Sequence, residues 1–310
     1  MTSKLIKEKD LLVVGGTGFI GRGVVYGGIK RGYRVSVLSR SLPEPKNIIS
    51  GVEYLQADIS SDVDVLKAVG SKHISHAVNL GGDISHVEYR NGGLDIINSH
   101  LTGVLNLAHS LDRNYLKCFV QIGSSDEYGI ASAPQYEDLP CLSMSSYSFS
   151  KFAATEFLKM LHKTESFPAI IVRPFLVYGP GQGHQRFLPQ VISACLKDVS
   201  FASSNGEQLR DFCYINDIVD GLFSALESKD CYGEVFNLAS GRPISIRSMI
   251  ECVVDLIGGG KPQFGTIQYR TGENMVLYAN IKKAKERLNW SPVINLREGL
   301  EKTIEYYRGV

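Results

Sequence analysis

A tyrosine and a lysine lie four residues apart in the segment Tyr147-Ser-Phe-Ser-Lys151. On a helix this spacing places the phenol and the ammonium on one face, as neighbours. Because a nearby positive charge favours the phenolate, we expect Lys151 to lower the pKa of Tyr147 from about 10 towards neutrality. Such a tyrosine can exchange a proton with a sugar hydroxyl or carbonyl while a hydride moves to or from a nicotinamide.

Two serines make this pattern more specific than a bare Tyr-x-x-x-Lys, which is common by chance. Ser124 and Ser125 follow the apolar run Phe119-Val-Gln-Ile122, ahead of the tyrosine along the chain. A serine hydroxyl at the end of a strand can hydrogen-bond the same substrate oxygen as the phenol. The predicted catalytic residues are therefore Tyr147, Lys151, Ser124 and Ser125.

A glycine-rich turn, Gly15-Gly-Thr-Gly-Phe-Ile-Gly21, directly follows the apolar run Leu11-Leu-Val-Val14. Glycines permit a tight turn and let the backbone approach a pyrophosphate, while the next helix begins with N–H groups that can bind an anion. A position after a strand and before a helix is the context that a dinucleotide-binding turn requires. The cofactor contacts predicted here are Gly15, Thr17, Gly18, Phe19, Ile20 and Gly21.

The end of the second predicted strand indicates which dinucleotide is bound. An Asp or Glu at this point would accept hydrogen bonds from the adenosine ribose of NAD, but the sequence has Ser39-Arg40. A small hydroxyl followed by a guanidinium suits the 2′-phosphate of NADP. We predict NADP(H) as the favoured cofactor and keep NAD(H) as the alternative. Further cofactor contacts are predicted at Asp58, Ile59, Leu80, Gly81, Gly82, Tyr147 and Lys151.

Alternating elements are predicted to position these residues. Strands are predicted at 11–14, 34–38, 52–55, 76–80, 119–122 and 169–173, and helices between them include 94–111 and 147–162. This alternation is typical of an α/β fold, a doubly wound Rossmann sheet that is parallel and covered on both faces. We predict a dinucleotide-binding domain over residues 1–180.

Beyond the glycine-rich segment 179–183 the predicted elements become shorter. Helices are predicted at 187–196, 217–226, 245–256, 281–288 and 296–307, and a strand at 235–238. The pattern predicts a smaller mixed α/β lobe over residues 181–310, with an approximate boundary to the first domain and with the two lobes interleaved.

Composition and charge argue against several classes of partner. The 310 residues include 33 Lys+Arg and 32 Asp+Glu, and a net charge of +1 is not typical of a nucleic-acid-binding surface. No run approaches the ~20 apolar residues of a membrane helix, and the polar first residues do not resemble a secretory signal. The six scattered cysteines favour reduced thiols over a zinc site or disulfides. We expect a cytoplasmic protein with no metal.

These motifs together resemble the extended short-chain dehydrogenase/reductases that act on nucleotide sugars, the NAD-dependent epimerase/dehydratase family. The resemblance extends over nearly the whole chain. It is carried by Gly15–Gly21, Ser124–Gly129, Tyr147-x-x-x-Lys151, Arg173-Pro174, Val177-Tyr-Gly-Pro-Gly181, Gly206-Glu-Gln-Leu-Arg-Asp-Phe212 and Arg270-x-x-Glu273.

The resemblance implies roles for individual residues. Tyr147 is the acid/base, Lys151 lowers its pKa and holds the nicotinamide ribose, and Ser124 orients the reacting oxygen. The C-terminal lobe binds the nucleotide-diphosphate sugar. The implied substrate contacts are Arg210, Arg270, Glu273, Phe187 and Asp126. The family's intersubunit four-helix bundle further implies a homodimer built from helices 94–111 and 147–162.

The reaction at the sugar stays open among several types. The second half is most similar to CDP-abequose and CDP-paratose synthases, which are 4-ketoreductases. Family dehydratases carry Thr-Asp-Glu before Val-Tyr-Gly, whereas Asp126 and Glu127 stand one place later here. We expect a 4-ketoreductase or 4-dehydrogenase in deoxysugar or surface-polysaccharide biosynthesis. A 4-epimerase or 4,6-dehydratase is the alternative, and a non-catalytic NADP sensor is the remoter one.

Two positions depart from the family pattern. His100 stands near the point where the family carries an Asn, and Asn79 stands where members often have His. A single histidine is more often a core or surface residue than a catalyst, so neither position enters the predicted site.

Overall fold

The computed structural model describes residues 9–269 and 273–309. Its strands are β1 (Lys9–Val14), β2 (Tyr33–Ser39), β3 (Glu53–Gln56), β4 (His76–Asn79), β5 (Cys118–Ile122), β6 (Ala169–Pro174), β7 (Leu176–Tyr178), β8 (Ser200–Ala202), β9 (Leu209–Tyr214), β10 (Val235–Leu238), β11 (Pro243–Ser245), β12 (Lys261–Gln263) and β13 (Val276–Leu277). Its α-helices are α1 (Phe19–Lys30), α2 (Asp62–Val69), α3 (Gly93–Ile97), α4 (Gly103–Ser110), α5 (Ser146–Glu165), α6 (Phe187–Leu196), α7 (Ile215–Glu227), α8 (Ile246–Ile257), α9 (Lys282–Arg287) and α10 (Leu296–Arg308).

Seven strands form one parallel sheet in the order β10-β6-β5-β4-β1-β2-β3. Val14 at the end of β1 pairs with Leu38 on one side and with Asn79 on the other. The chain reverses its direction of winding between β1 and β4, and ligands of such sheets bind outside the carboxyl ends of the strands at this point. The predicted α/β Rossmann fold is confirmed.

Apolar runs become central strands because helices cover both faces of the sheet. Leu11, Leu12 and Val13 of β1 are fully buried, and so is Phe119 of β5. Leu12 belongs to an apolar core cluster that also contains Leu107, Leu111, Phe119, Leu158 and Phe167. The core therefore fixes the strand ends from which the predicted site residues follow.

The predicted helix 94–111 is interrupted in the structure. Its first part is α3 and its last part is α4, and the five residues Asn98–Thr102 between them form a π-helical segment that contains His100. Single π-turns inside α-helices occur frequently at functional sites.

The chain divides into two compact units, each built from several segments. Of the described residues, unit 1 contains 9–127, 143–172 and 222–235. Unit 2 contains 128–142, 173–221, 236–269 and 273–309. In unit 2, β9 pairs antiparallel with β11 and parallel with β7 and β13, while β8 pairs with β12.

The predicted helices of the second half and the strand 235–238 are present, the strand as β10. Periodicity did not predict the six short strands β7, β8, β9, β11, β12 and β13. Among the helices of the described residues, none combines the length and apolarity that crossing a bilayer requires.

Candidate active site

The glycine turn is shaped so that two of its glycines cannot be replaced without strain. Gly15 has a φ of +74°, and its N–H donates to the carbonyl of Leu38. A Cβ at Gly21 would overlap the carbonyl oxygen of Gly15, so helix α1 packs against the turn at backbone distance. Gly18 caps α1 without a side-chain hydrogen bond, and the first turn of the helix has no acidic residue. This helix end suits a pyrophosphate.

The residues after β2 and β3 fit the adenosine end of a dinucleotide. Arg40 is exposed, and its carbonyl accepts a hydrogen bond of 3.0 Å from the Gln56 side chain. The hydroxyl of Ser39 donates to the carbonyl of Ser41. Two hydrogen bonds from Ser60 hold the Asp58 carboxylate and keep its pKa below the ordinary value.

The segment after β4 packs tightly at the end of the sheet. Leu80 donates its N–H to the carbonyl of Val14, which continues the pairing with β1. A Cβ at Gly81 would stand 2.9 Å from Val14 and 3.0 Å from Ile59, so the buried Ile59 supports this glycine from behind. Together with Gly82, these glycines leave the backbone accessible to a cofactor lying across the strand ends.

Helix α5 carries the predicted tyrosine and lysine. Ser145 and Ser148 form a capping box that starts the helix immediately before Tyr147. Lys151 is buried, its Nζ donates a hydrogen bond of 2.9 Å to the carbonyl of Ile122, and it lies 5.8 Å from the centre of the Tyr147 ring. The structure therefore places the ammonium beside the phenol and joins it to the end of β5.

Burial lowers the pKa of Lys151 to about 8, because the charged form loses its hydration. The carboxylate of Glu127 acts in the opposite direction and favours the charged ammonium. Lys151 therefore stands near the border between its charged and neutral forms in the neutral to mildly alkaline range.

Glu127 holds the predicted serine in place. Its side chain is fully buried, its Oε1 accepts the N–H of Ser124 at 2.8 Å, and its Oε2 accepts the hydroxyl of Thr155 on α5 at 2.9 Å. The N–H of Asp126 donates to Ser124 Oγ at 3.1 Å. The hydroxyl of Ser124 thus accepts from the backbone and keeps its own proton for donation. Ser125 is also buried, at the start of a short 3₁₀ turn, Ser125–Tyr128.

Two histidines that the sequence analysis left outside the site border the Tyr147 ring. His86 lies with its ring centre 4.9 Å from that of Tyr147, and its Nε2 stands 3.1 Å from a carboxylate oxygen of Asp126. His100 packs edge-on at 5.2 Å. His86 belongs to a loop without periodicity, so only the fold shows that it lies beside the tyrosine.

His100 is held as a neutral, buried ring. Its Nε2 lies 2.6 Å from the carbonyl of Asp83, which can only accept, so Nε2 carries the proton. Burial, followed by the charge of Lys151, lowers the pKa of His100 to about 3. A Cβ at Gly82 would overlap the His100 ring, so the absence of a side chain at this glycine makes room for the imidazole that packs against Tyr147.

Unit 2 contains a separate cavity of about 410 Å³ that gathers three predicted substrate contacts. Arg210, Glu273 and Phe187 line it, and the first two form an ion pair. Arg210 also donates to the carbonyl of Leu209 at 2.8 Å. Arg270 lies outside the described residues. An arginine, a carboxylate and an aromatic ring suit phosphate, ribose hydroxyls and a base respectively.

The parallel sheet, its glycine turn and the Ser-Tyr-Lys group define a dinucleotide-binding enzyme of the α/β class. Residues 11–239 match the NAD dependent epimerase/dehydratase family. The chain therefore belongs to this family, the extended short-chain dehydrogenase/reductases that act on nucleotide sugars, as the motifs predicted.

Proteins with similar sequences are named for several different reactions. The chain is 32% identical to a UDP-glucuronate 4-epimerase of Thermodesulfobacterium geofontis, over 68% of this chain and 65% of the relative. It is 24% identical to a dTDP-4-dehydro-6-deoxyglucose reductase of Escherichia coli, over 97% and 98% of the two chains. A dTDP-glucose 4,6-dehydratase of Xanthomonas campestris pv. campestris is 24% identical, over 96% and 92%.

A solved structure shares the fold at similar identity. It is a variant of UDP-glucuronic acid 4-epimerase from Bacillus cereus in complex with UDP-4-deoxy-4-fluoro-glucuronic acid and NAD. The identity is 26% and the TM-score 0.88, over 97% of this chain and 99% of that chain.

Proposed function

We propose that this protein is a nicotinamide-dependent oxidoreductase that transfers a hydride to or from C4 of the sugar in a nucleotide-diphosphate sugar. It acts as a 4-ketoreductase or a 4-dehydrogenase in deoxysugar or surface-polysaccharide biosynthesis. The observation that carries this proposal is the buried Lys151, which lies beside the Tyr147 ring and donates to the strand end that leads to Ser124. When bound, the dinucleotide supplies or accepts the hydride.

The three residues divide the proton chemistry at O4. In the reductive direction, Tyr147 gives its phenolic proton to the oxygen that develops negative charge, and Ser124 donates a hydrogen bond to the same oxygen. The nearby ammonium of Lys151 stabilises the phenolate that remains. In the oxidative direction the same phenolate takes the proton from the C4 hydroxyl. Ser125 supports the turn beside Ser124.

We propose NADP(H) as the favoured dinucleotide and NAD(H) as a second one that the site accepts. The exposed guanidinium of Arg40 after β2 supports a 2′-phosphate, and no carboxylate stands at positions 39–41 to hold the ribose of NAD. The NAD-bound Bacillus cereus epimerase supports the second assignment. The turn from Gly15 to Gly21 would hold the pyrophosphate of the dinucleotide. The remaining contacts are Asp58, Ile59, Leu80, Gly81 and Gly82.

The proposed nucleotide-sugar contacts are assigned residue by residue. We assign the nucleotide to the cavity of unit 2, with Arg210 on the diphosphate, Glu273 on the ribose and Phe187 on the base; Arg270 adds a second guanidinium. Asp126 contacts the sugar. We propose a cofactor domain over residues 1–180 and a substrate lobe over residues 181–310, with an approximate boundary and interleaved lobes. A cytoplasmic homodimer is part of the same proposal.

A 4-epimerase is the second candidate, supported by the 32% identical UDP-glucuronate 4-epimerase. A 4,6-dehydratase is less favoured, because Glu127 is buried and already accepts from Ser124 and Thr155. One experiment separates these reactions. The purified protein is given CDP-, GDP-, UDP- and dTDP-linked hexoses and their 4-keto-6-deoxy forms, with NADPH or NADH, and the products are identified by NMR.

A 4-ketoreductase consumes reduced cofactor in step with 4-keto sugar. An epimerase instead interconverts C4 isomers without net oxidation, and a dehydratase forms the 4-keto-6-deoxy sugar without a reductant. Cofactor binding without turnover on any of these compounds would leave the non-catalytic sensor and refute the proposed function.

A further inference from the structure

A histidine–aspartate pair lies beside the ring of Tyr147. His86 Nε2 stands 3.1 Å from Asp126 Oδ2, and the imidazole ring lies 4.9 Å from the Tyr147 ring at an interplanar angle of 48°. The side chains of His86 and Asp126 are 42% and 38% exposed. A substrate molecule and water can therefore reach both.

The contact with Asp126 determines which nitrogen of His86 is available. Because the carboxylate accepts, Nε2 carries a proton, and in the neutral ring Nδ1 keeps its lone pair. A carboxylate behind an imidazole orients the ring and stabilises the imidazolium that forms when Nδ1 takes a proton. The pair thus has the arrangement of a general base.

The other imidazole beside Tyr147 differs from His86 in its burial and in its hydrogen-bond partner. His100 is buried, its Nε2–H is held by the carbonyl of Asp83, and its pKa is lowered to about 3. It can position the tyrosine but cannot change protonation in the neutral range. Of the two rings, His86 is the one with a carboxylate partner and access to solvent.

We propose that His86, oriented by Asp126, is a second proton-transfer residue of this site and acts on a C–H bond next to the carbonyl of a 4-keto nucleotide sugar. The inference rests on the proposed function in one respect, because Tyr147 must hold the oxygen at C4. A group that borders the tyrosine ring then lies beside a carbon bonded to C4. The activity that follows is enolisation, with hydrogen exchange at that carbon.

The step needs no redox partner when the substrate already carries the ketone. Nδ1 of His86 takes the proton from the carbon adjoining C4, and the electron pair of the broken C–H bond forms a C=C bond to C4. The carbonyl electron pair moves to O4, where the hydroxyls of Tyr147 and Ser124 donate hydrogen bonds to the enolate oxygen. Return of a proton from His86 restores the ketone, and solvent exchange at the exposed imidazole replaces that proton.

Deuterium exchange measures this activity without hydride transfer. The protein is incubated in D₂O, without reduced cofactor, with the 4-keto-6-deoxyhexoses of dTDP, UDP, CDP and GDP. NMR follows the loss of the proton signals at C3 and C5, with the rate in buffer subtracted. We expect acceleration with at least one of the four compounds. The acceleration should be at least tenfold smaller in H86Q, because general acid–base catalysis typically contributes about 10²-fold or more.

The surface pair of His109 and Asp62, 3.2 Å apart in the same unit, supplies a matched control. H109Q should exchange like the unaltered protein, while D126N should slow exchange by orienting the ring less well. The rate of reduction of the same sugars is measured by cofactor absorbance. In H86Q this rate should fall less than the rate of deuterium exchange does. Added imidazole should restore part of the exchange in H86A.

Exchange no faster than in buffer for all four sugars overturns the inference, and so does an H86Q variant that exchanges as fast as the unaltered protein. Failure of the proposed function gives a different result. In that case no sugar is reduced or oxidised, whereas His86-dependent exchange persists.

Discussion

The backbone N–H of Ser124 donates a hydrogen bond of 2.8 Å to the buried carboxylate of Glu127, three residues later in the chain. The second oxygen of the same carboxylate accepts the hydroxyl of Thr155, two helical turns beyond Tyr147. One side chain therefore connects the loop after β5 with helix α5. The distance between the candidate serine and the candidate tyrosine is set by this connection together with the bond from Lys151 to Ile122.

Replacement of Glu127 by glutamine is expected to destabilise the fold. The amide nitrogen of Gln cannot accept, so one buried donor, either the Ser124 N–H or the Thr155 hydroxyl, loses its partner. The expected cost is about 1–3 kcal/mol in the free energy of unfolding. Urea denaturation measures it. E156Q is the control on the same helix, because Glu156 is solvent-exposed and forms a surface pair with Lys159, and it should change stability by about 0.5 kcal/mol or less. Equal stability of E127Q and the unaltered protein would contradict the structural role.

Replacement of Tyr147 by phenylalanine is expected to abolish proton transfer while it preserves the ring contacts with His86 and His100. We expect turnover of the nucleotide sugar to fall by about 10²–10⁴-fold. Binding of NADPH, measured by fluorescence titration, should be retained. Y115F, at an exposed tyrosine, is the control and should keep full turnover. A Y147F variant that turns over at the original rate would falsify the proposed mechanism.

The buried Lys151 should make stability depend on pH in a definite direction. Burial lowers its pKa from 10.5 to about 8. Between these values the unfolded chain holds a proton that the folded protein has released, so this residue's contribution to stability rises as the pH rises. K151M lacks the effect. Its stability relative to the unaltered protein should therefore fall by about 1–3 kcal/mol between pH 7 and pH 10.

Chemical denaturation at several pH values checks this prediction for Lys151. Other titrating groups are present in both proteins and cancel in the comparison. K159M is the control, because Lys159 lies on the same helix with its ammonium in solvent. If the free energies of unfolding of K151M and the unaltered protein differ by the same amount from pH 7 to pH 10, the ammonium of Lys151 is not desolvated.

Long, strongly patterned segments allowed much of the fold to be predicted from the sequence. The apolar run Leu11–Val14 before the glycine turn and the paired positions Tyr147 and Lys151 both depend on local spacing, which the sequence displays directly. The short strands β7, β8, β9, β11, β12 and β13 were not predicted. They depend on long-range pairing, of β7, β11 and β13 with β9 and of β8 with β12, which the local sequence does not display.

The candidate site was predictable only where a motif carries its own geometry. Ser124, Tyr147 and Lys151 follow from a strand end and a helical spacing. His86 and Asp126 come from two different loops, and no periodicity connects them. Asp211 follows Arg210 in the sequence, but the structure pairs Arg210 with Glu273. Asp211 instead accepts the N–H groups of Ser240, Gly241 and Ala279. Which acidic residue pairs with an arginine is decided by the burial of both side chains, and burial depends on the whole fold.

Removal of the guanidinium after β2 should change the choice of dinucleotide. R40A is expected to weaken binding of NADPH by about tenfold or more and to leave NADH nearly unchanged, because only NADPH carries the 2′-phosphate. Dissociation constants from fluorescence titration at one salt concentration measure both. R297A removes an exposed arginine of α10 and is the control for the change in net charge; it should leave both dissociation constants nearly unchanged. An unchanged ratio of the two constants in R40A would refute the assignment of Arg40.

Removal of the guanidinium in the unit 2 cavity should weaken binding of the nucleotide. Arg210 is largely buried beside Glu273, so R210A removes both a phosphate donor and the partner of a partly buried carboxylate. We expect the affinity for free CDP, GDP, UDP or dTDP, measured by calorimetry, to fall by about 10–100-fold for the nucleotide that binds best. R210K keeps the positive charge but not the planar fork of donors. Its affinity for the nucleotide should therefore lie between those of R210A and the unaltered protein. R242A, at an exposed arginine of unit 2, should bind normally. If R210A binds every nucleoside diphosphate as tightly as the unaltered protein does, the cavity is not the nucleotide site, and the ion pair with Glu273 has only a structural role.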